Sequence, residues 1–290
     1  MNSKIKIYFP GSWGLTSPHL TNLYKSLSPG NSGIWENLEI VNNLEECDYV
    51  IVQDKPEEII PENKKVIFFG REPKYIEDHS YEGKNLHLSF HHTKGESWLP
   101  QTWWLNLNYD ELVNLEYPKK NKLLSIIDSG KQYVEGHRIR LKTIQQIVRE
   151  LPSHVEVFGH ITNGMQFTPP FVSPLPPRSK EKGLLDYRYN LAFENGQTDF
   201  YFSEKIIDPI LCWTTPIYWG CKKIDKFLPK GSYVNLDPTK SGIIREIKLL
   251  LESNYHEDNK EALKEARELI LKKYNLLPTI KRALDFKKIL

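Results

Sequence analysis

The sequence predicts two doubly wound α/β domains facing one another. Three observations carry that reading: short Val/Ile/Phe-rich runs, helical segments between them, and one Pro/Lys break near the middle. The runs "CDYVIVQD" (47–54) and "KKVIFFG" (64–70) are apolar almost throughout, as strands buried on both faces of a parallel sheet must be. "EYPKKNK" (116–122) separates a first series of elements from a second. A chain of 290 residues is long enough for two cores.

In the first half, "KIKIYF" (4–9) alternates and reads as the opening strand, followed by a helix near Pro18 to Ser28. The strands at 47–54 and 64–70 come next, then "LHLSF" (86–90). After the break, "LLSIID" (123–128) is a strand. "GHRIRLKTIQQIVREL" (136–151) places apolar residues at 141, 144, 147, 148 and 151, the spacing of one helix face. "VEVFGH" (155–160) is a strand, and the Pro-rich "FTPPFVSPLPPRS" (167–179) a surface loop. "YNLAFEN" (strand), "SEKIIDPILCW" (helix), "TPIYWG" and "YVNLD" (strands) follow, and two helices, "SGIIREIKLLLES" and "KEALKEARELILKKY", close the series. The boundaries are 1–117, 118–270 and a C-terminal helix, 271–290, that can pack back on the first domain.

Hydrophobic content of 39% and charged content of 26% describe a globular chain. A net charge of +2 with interspersed signs argues against a nucleic-acid partner. The basic end "KRALDFKKIL" reads as a packed helix with a solvated lysine face, weak contact with a membrane surface being the alternative. No stretch of ~18 apolar residues and no apolar leader occurs, which points to a cytoplasmic chain. Cys47, Cys212 and Cys221 are few, odd in number and far apart, so neither a disulfide framework nor a Cys-x-x-Cys metal site is expected. His91 and His92 are adjacent on a strand and so point to opposite faces, which speaks against one ion held by both. Trp98, Trp103 and Trp104 read first as core and second as sugar-stacking surface.

The chemistry concentrates in "LAFENGQTDFYFSEKIIDPILCWTTPIYWG" (191–220). Ligands of open α/β sheets sit beyond the carboxyl ends of strands, so Glu194 and Asn195 would project into such a crevice. Ser203 can cap the next helix, with Glu204 and Lys205 in its first turn, where free N–H groups and a lysine suit a diphosphate. Alternatively Asp208 is the cap and Pro209 the first helical residue. A surface ion pair is the plain reading of Glu204–Lys205, packing that of Tyr201, and no single feature names a reaction.

Taken together, "YRYNLAFEN", "YFSEK" and "TTPIYWG" resemble the signature of the α-1,3/4-fucosyltransferases of glycosyltransferase family 10. The likeness is specific over 187–237. It continues more loosely through "FLPKGSYVNLD", through "LLSIID…HRIRLKTIQQIVRELPSHVEVFGH" and through "VIFFGREPKY". It implies a GT-B fold, the C-terminal domain holding GDP-fucose and the N-terminal domain an oligosaccharide acceptor. By family position Asn195 and Tyr201 line the donor pocket, Glu204 bonds donor hydroxyls and Lys205 meets the diphosphate. An arginine of the helix after "LLSIID" also meets it; Arg138 and Arg140 compete, Arg138 being preferred. The base that deprotonates the acceptor would be Glu72 in "GREP", its alternative a turn carboxylate paired with Arg71. Without an Asp-x-Asp triplet beside a strand end, no metal and no cofactor are expected beyond the donor itself. The expected reaction is inverting transfer of fucose to a GlcNAc- or Glc-containing glycan. A different nucleotide sugar, or a glycan-binding protein without turnover, are the alternatives.

Overall fold

The computed structural model describes residues 3–73, 81–91, 98–159, 171–172 and 175–289. The chain forms two compact units: Met1–Thr102 with Asn108–Asn114 and Leu271–Leu290, and Trp103–Leu107 with Leu115–Ile270.

The first unit begins with β1 (Ile5–Tyr8), α1 (Ser17–Lys25), β2 (Ile34–Trp35) and β3 (Leu38–Ile40). β4 (Tyr49–Val52), β5 (Lys65–Gly70), β6 (Leu86–His91) and α2 (Tyr109–Val113) follow. Its sheet runs β2-β3-β1-β4-β5-β6, parallel except for the β2–β3 pair. Those two short strands were not foreseen, because "IWENLEI" is too short and too charged to show a period. The chain passes from β1 to β3 on one side, then to β4 on the other, so the strand order reverses between β1 and β4. Val50, Ile51, Val66, Ile67 and Phe69 are at most 1% exposed, the double burial that the continuous apolar runs predict.

The second unit contains β7 (Lys122–Asp128), α3 (Glu135–Glu150), β8 (Val155–Gly159), β9 (Phe171–Val172), β10 (Tyr187–Thr198) and α4 (Glu204–Leu211). β11 (Thr215–Cys221), β12 (Val234–Asn235), α5 (Ile243–Leu251), α6 (Tyr255–Asp258) and α7 (Lys260–Leu269) complete it. The sheet β12-β11-β10-β7-β8-β9 is parallel throughout and reverses order between β7 and β10. Leu124 and Ile126 of β7, Ile144 and Ile147 of α3, and Tyr189, Leu191 and Phe193 of β10 share one core with Ile217. Each such side chain contributes about 1.5–3 kcal/mol on full burial.

Three expectations change. The strand does not stop with "YNLAFEN": β10 runs on to Thr198, which pairs with Cys221 across a register shift. The expected last helix breaks into α7 and a π-helical turn, Ile270–Tyr274. Lys120, in the break at 116–122, is not an exposed linker residue but 9% exposed, its ammonium donating to the carbonyls of Leu185 (2.8 Å) and Cys212 (2.9 Å) and to Thr214 Oγ1 (3.0 Å). Residues 167–170 and 173–174 of the Pro-rich stretch and His92 lie outside the described residues, and within that stretch Phe171–Val172 pairs with β8 as β9 where only loop was expected.

The chain ends in α8 (Leu276–Ile289), within the first unit. Its buried face is Leu277, Ile280, Ala283 and Leu284, and Lys281 pairs with Glu36 (3.4 Å) and Asp285. Arg282 lies over Trp98 (5.3 Å). No helix among the described residues is long and apolar enough to cross a membrane. The three cysteines are buried and free.

Candidate active site

A cavity of about 360 Å³ opens in the second unit, beyond the carboxyl ends of β7, β8 and β10. Asp128, Gly159 and Asn195 from those strands line it, with His137 and Arg140 from α3 and Glu204, Lys205 and Asp208 from α4. It therefore sits where the strand order reverses, the place where an open parallel sheet leaves a crevice between loops that diverge.

The α4 wall is set by Ser203 and Glu194. Ser203 is the N-cap, its Oγ accepting from Lys205 N (3.3 Å), so the cap is not Asp208 and Pro209 lies inside the helix. Glu194 does not project into the crevice as expected. It is fully buried and accepts from Ser203 N (2.9 Å) and Ser203 Oγ (2.7 Å), clamping the helix start onto β10. Gly220 on β11 makes room for it: a Cβ there would stand 2.3 Å from Glu194 Cγ. Burial raises the Glu194 pKa, with Lys205 opposing.

Lys205 Nζ lies 3.2 Å from Glu204 Oε1 and 3.6 Å from Glu194 Oε2. Burial would lower its pKa, but the two carboxylates outweigh that and raise it, so the ammonium stays charged. Glu204 is likewise held well below the usual carboxylate range: desolvation pushes it up, and Lys205 and Lys180 more than reverse this. One turn on, Asp208 accepts from Trp104 N (3.1 Å) and from Lys180 Nζ (3.0 Å), pinning the 103–107 segment to α4. Burial lifts its pKa to about 6 against the pull of Lys180.

On the α3 wall, Arg140 donates from Nε to Asp128 Oδ1 (2.9 Å) and from Nη1 to the Phe193 carbonyl (3.1 Å) and Asn195 Oδ1 (3.3 Å). Gly136 allows this close approach, since a Cβ there would stand 2.2 Å from the Asn195 carbonyl oxygen. His137 is 4% exposed; burial, then the charges of Arg140, Lys205 and Lys131, push its pKa down to about 4, so it is neutral at pH 7. The site thus gathers Lys131, Arg140 and Lys205 around a neutral imidazole.

The residues singled out from sequence divide. Asn195, Arg140, Glu204 and Lys205 meet at the cavity. Arg138 does not: it is exposed on α3 and absent from the lining, because it lies on the solvent side of a helix that buries Arg140. Of the two arginines, Arg140 is the one the fold brings to the cavity. Tyr201 is buried and is likewise not among the residues lining the cavity. Glu72 belongs to the first unit, half-buried in the bend after β5. Sequence reasoning missed Asp128, His137 and Lys180, and had Asp208 only as a possible helix cap and Trp104 as core first and sugar-stacking surface second. Asp128 was findable as the polar end of "LLSIID", whereas nothing local distinguishes Lys180. Of the tryptophans, Trp103 is core at 1% exposed, while Trp104 is 48% exposed and lines the cavity beneath Arg178 (5.7 Å).

Residues 117–255 match the family described as glycosyltransferase family 10 (fucosyltransferase), C-terminal. The chain is similar to the alpha-(1,3)-fucosyltransferase FucT of Helicobacter pylori, 41% identical over 64 residues, 22% of this chain and 13% of that protein. It is also similar to GDP-fucose protein O-fucosyltransferase 3 of Danio rerio, 30% identical over 86 residues, 28% of this chain and 19% of that one. The matched segments thus span well under two thirds of either relative. In structure it resembles an alpha1,3-fucosyltransferase solved with GDP-fucose, with a TM-score of 0.54 at 19% identity, covering 90% of this chain and 82% of that one. That likeness establishes the fold as GT-B, each unit built on a six-stranded sheet that is parallel except for the β2–β3 pair of the first.

Proposed function

We propose, for a chain that belongs to glycosyltransferase family 10 through residues 117–255, that it transfers L-fucose with inversion from GDP-β-L-fucose to a glycan hydroxyl. The observation that carries this reading is the set of cations, Lys131, Arg140 and Lys205, gathered at the switch point of the second unit's sheet. Cleaving the sugar–phosphate bond puts negative charge on the departing diphosphate. Fixed cations beside those oxygens stabilise the transition state more than the ground state. Arg140 spends Nε and Nη1 on protein acceptors, which leaves Nη2 for the diphosphate. Lys205 supplies the second charge, and Glu204, kept ionised, can accept from a donor hydroxyl. Neutral His137 can donate or accept without adding charge.

Inversion needs one displacement and one base, and we assign the base to Glu72. A GlcNAc- or Glc-containing glycan is the proposed acceptor; the fish relative's name adds a protein hydroxyl as a second class to test. The chain's own cations support turnover without added divalent metal. The test is titration of the purified chain with GDP and GDP-fucose, then GDP release with a glycan and peptide panel, with and without EDTA. Saturable binding and acceptor-dependent GDP release are expected, EDTA having no effect and Glu72→Gln abolishing release but not GDP binding. No GDP-fucose binding, or equal turnover of UDP- and GDP-sugars, defeats the reading.

A further inference from the structure

The first unit carries its own switch point, between β1 and β4, and an unusual residue stands at it. The chain leaving β1 makes a tight turn at Ser12–Leu15, closed by Ser12 N to Leu15 O and Leu15 N to Ser12 O, both 2.9 Å. Its two central residues, Trp13 (φ 53°) and Gly14 (φ 74°), both have positive φ. Turns of this kind favour Asn-Gly, because an ordinary side chain crowds its own carbonyl there. Here a tryptophan takes the asparagine place, and 43% of it is exposed. The choice is strained locally and leaves a large part of a hydrophobic ring in water.

The turn is held from several sides. Gly14 N donates to Glu57, Gly11 N to Glu58 Oε1 (3.0 Å) and Glu57 N to the Gly11 carbonyl (2.8 Å). The indole is itself oriented. Arg71, at the carboxyl end of β5, places its guanidinium 5.5 Å from the Trp13 ring centroid while donating to Gln53 Oε1 (2.9 Å) and Thr102 Oγ1 (3.3 Å). Arg71 also precedes Glu72, the proposed base. A part-exposed aromatic plate thus stands at a sheet switch point, in contact with Arg71, the residue next to that base.

We propose that Trp13 is the stacking platform of the acceptor sugar; this rests on the reading of the first unit as the acceptor unit. Strain kept at a sparsely populated φ is the mark of a position held for function. The electron-rich face of an indole attracts positively polarised C–H groups. A β-glucose or β-N-acetylglucosamine ring has equatorial substituents, so both its faces present unbroken C–H groups. An axial 4-hydroxyl, as in galactose, interrupts one face.

The test compares wild type, Trp13→Gly and Trp13→Phe in titrations with methyl β-N-acetylglucosaminide, methyl β-glucoside and methyl β-galactoside, beside GDP affinity and Tm. Trp13→Gly is expected to weaken the two gluco-configured ligands by roughly tenfold or more, while Trp13→Phe stays within about threefold. GDP affinity should not change, and Tm of Trp13→Gly should stay close to wild type, because relief of the positive φ offsets the lost contact with Arg71. Wild-type sugar affinity that survives Trp13→Gly overturns the proposal. So does wild type binding neither gluco-configured ligand, or a Tm that falls together with sugar affinity. If Trp13-dependent sugar binding is found but GDP-fucose is not bound, the platform stands and the fucosyl-transfer reading fails.

Discussion

Replacing Lys205 by Met separates what the lysine does for the fold from what it is proposed to do for the donor. Its ammonium serves two carboxylates, Glu204 at 3.2 Å and Glu194 at 3.6 Å, and Glu194 is fully buried. Removing one member of a buried ion pair costs about 3–5 kcal/mol. The lower end applies, because Glu204 keeps Lys180 at 3.8 Å and Glu194 keeps both bonds to Ser203 and can take up a proton. A loss of about 3 kcal/mol corresponds to roughly 6–12 °C in Tm for a unit of this size. The donor effect is separate: one lost charge-assisted bond, about 1.5–3 kcal/mol, weakens GDP by roughly 10- to 150-fold. Adding Glu194→Gln removes the stranded carboxylate while an amide still bridges to Ser203. The double variant should recover most of the Tm and none of the affinity. Thermal melts and calorimetric GDP titrations at fixed salt read both quantities. If GDP affinity returns with the Tm, Lys205 acts only through the fold, and if Lys205→Met binds GDP within about twofold of wild type, the assignment of Lys205 to the diphosphate is wrong.

Arg140→Met should lower stability by about 3–5 kcal/mol by stranding buried Asp128, and should weaken GDP, whereas exposed Arg138→Met should change stability by no more than about 0.5 kcal/mol and leave GDP affinity intact; equal effects of the two on a GDP titration would remove Arg140 from the site. Acid should destabilise the second unit through His137. Its folded pKa of about 4 lies below the unfolded value, so the folded state binds fewer protons between ~6.5 and ~4 and stability falls as pH drops through that window. His256, pushed by burial to about 3, acts with the same sign, and Asp208, raised to about 6, with the opposite one. The diagnostic quantity is therefore the difference between wild type and His137→Asn, whose stability profile should be flatter between pH 6.5 and 4; parallel profiles would refute the buried neutral imidazole.

Local pattern sufficed for the parallel sheets, since double burial forces continuous apolar runs such as "VIVQ" and "VIFF" that no solvent-facing strand would carry. For the start of α4 local pattern offered two caps, Ser203 and Asp208, and only the folded chain shows Ser203 in that place, its Oγ accepting from Lys205 N. Everything that depends on which side of an element meets a neighbour lay beyond local pattern. Arg138 and Arg140 are two residues apart on one helix, so they point to nearly opposite sides, and only the docking of α3 against β10 decides which one enters the cavity. Glu194 turns inward because Gly220, on a neighbouring strand, leaves space for its side chain. Trp13 reads from sequence as one more aromatic; its positive φ and its seat at a strand reversal are properties of the folded chain, because long-range pairing, not local preference, sets both.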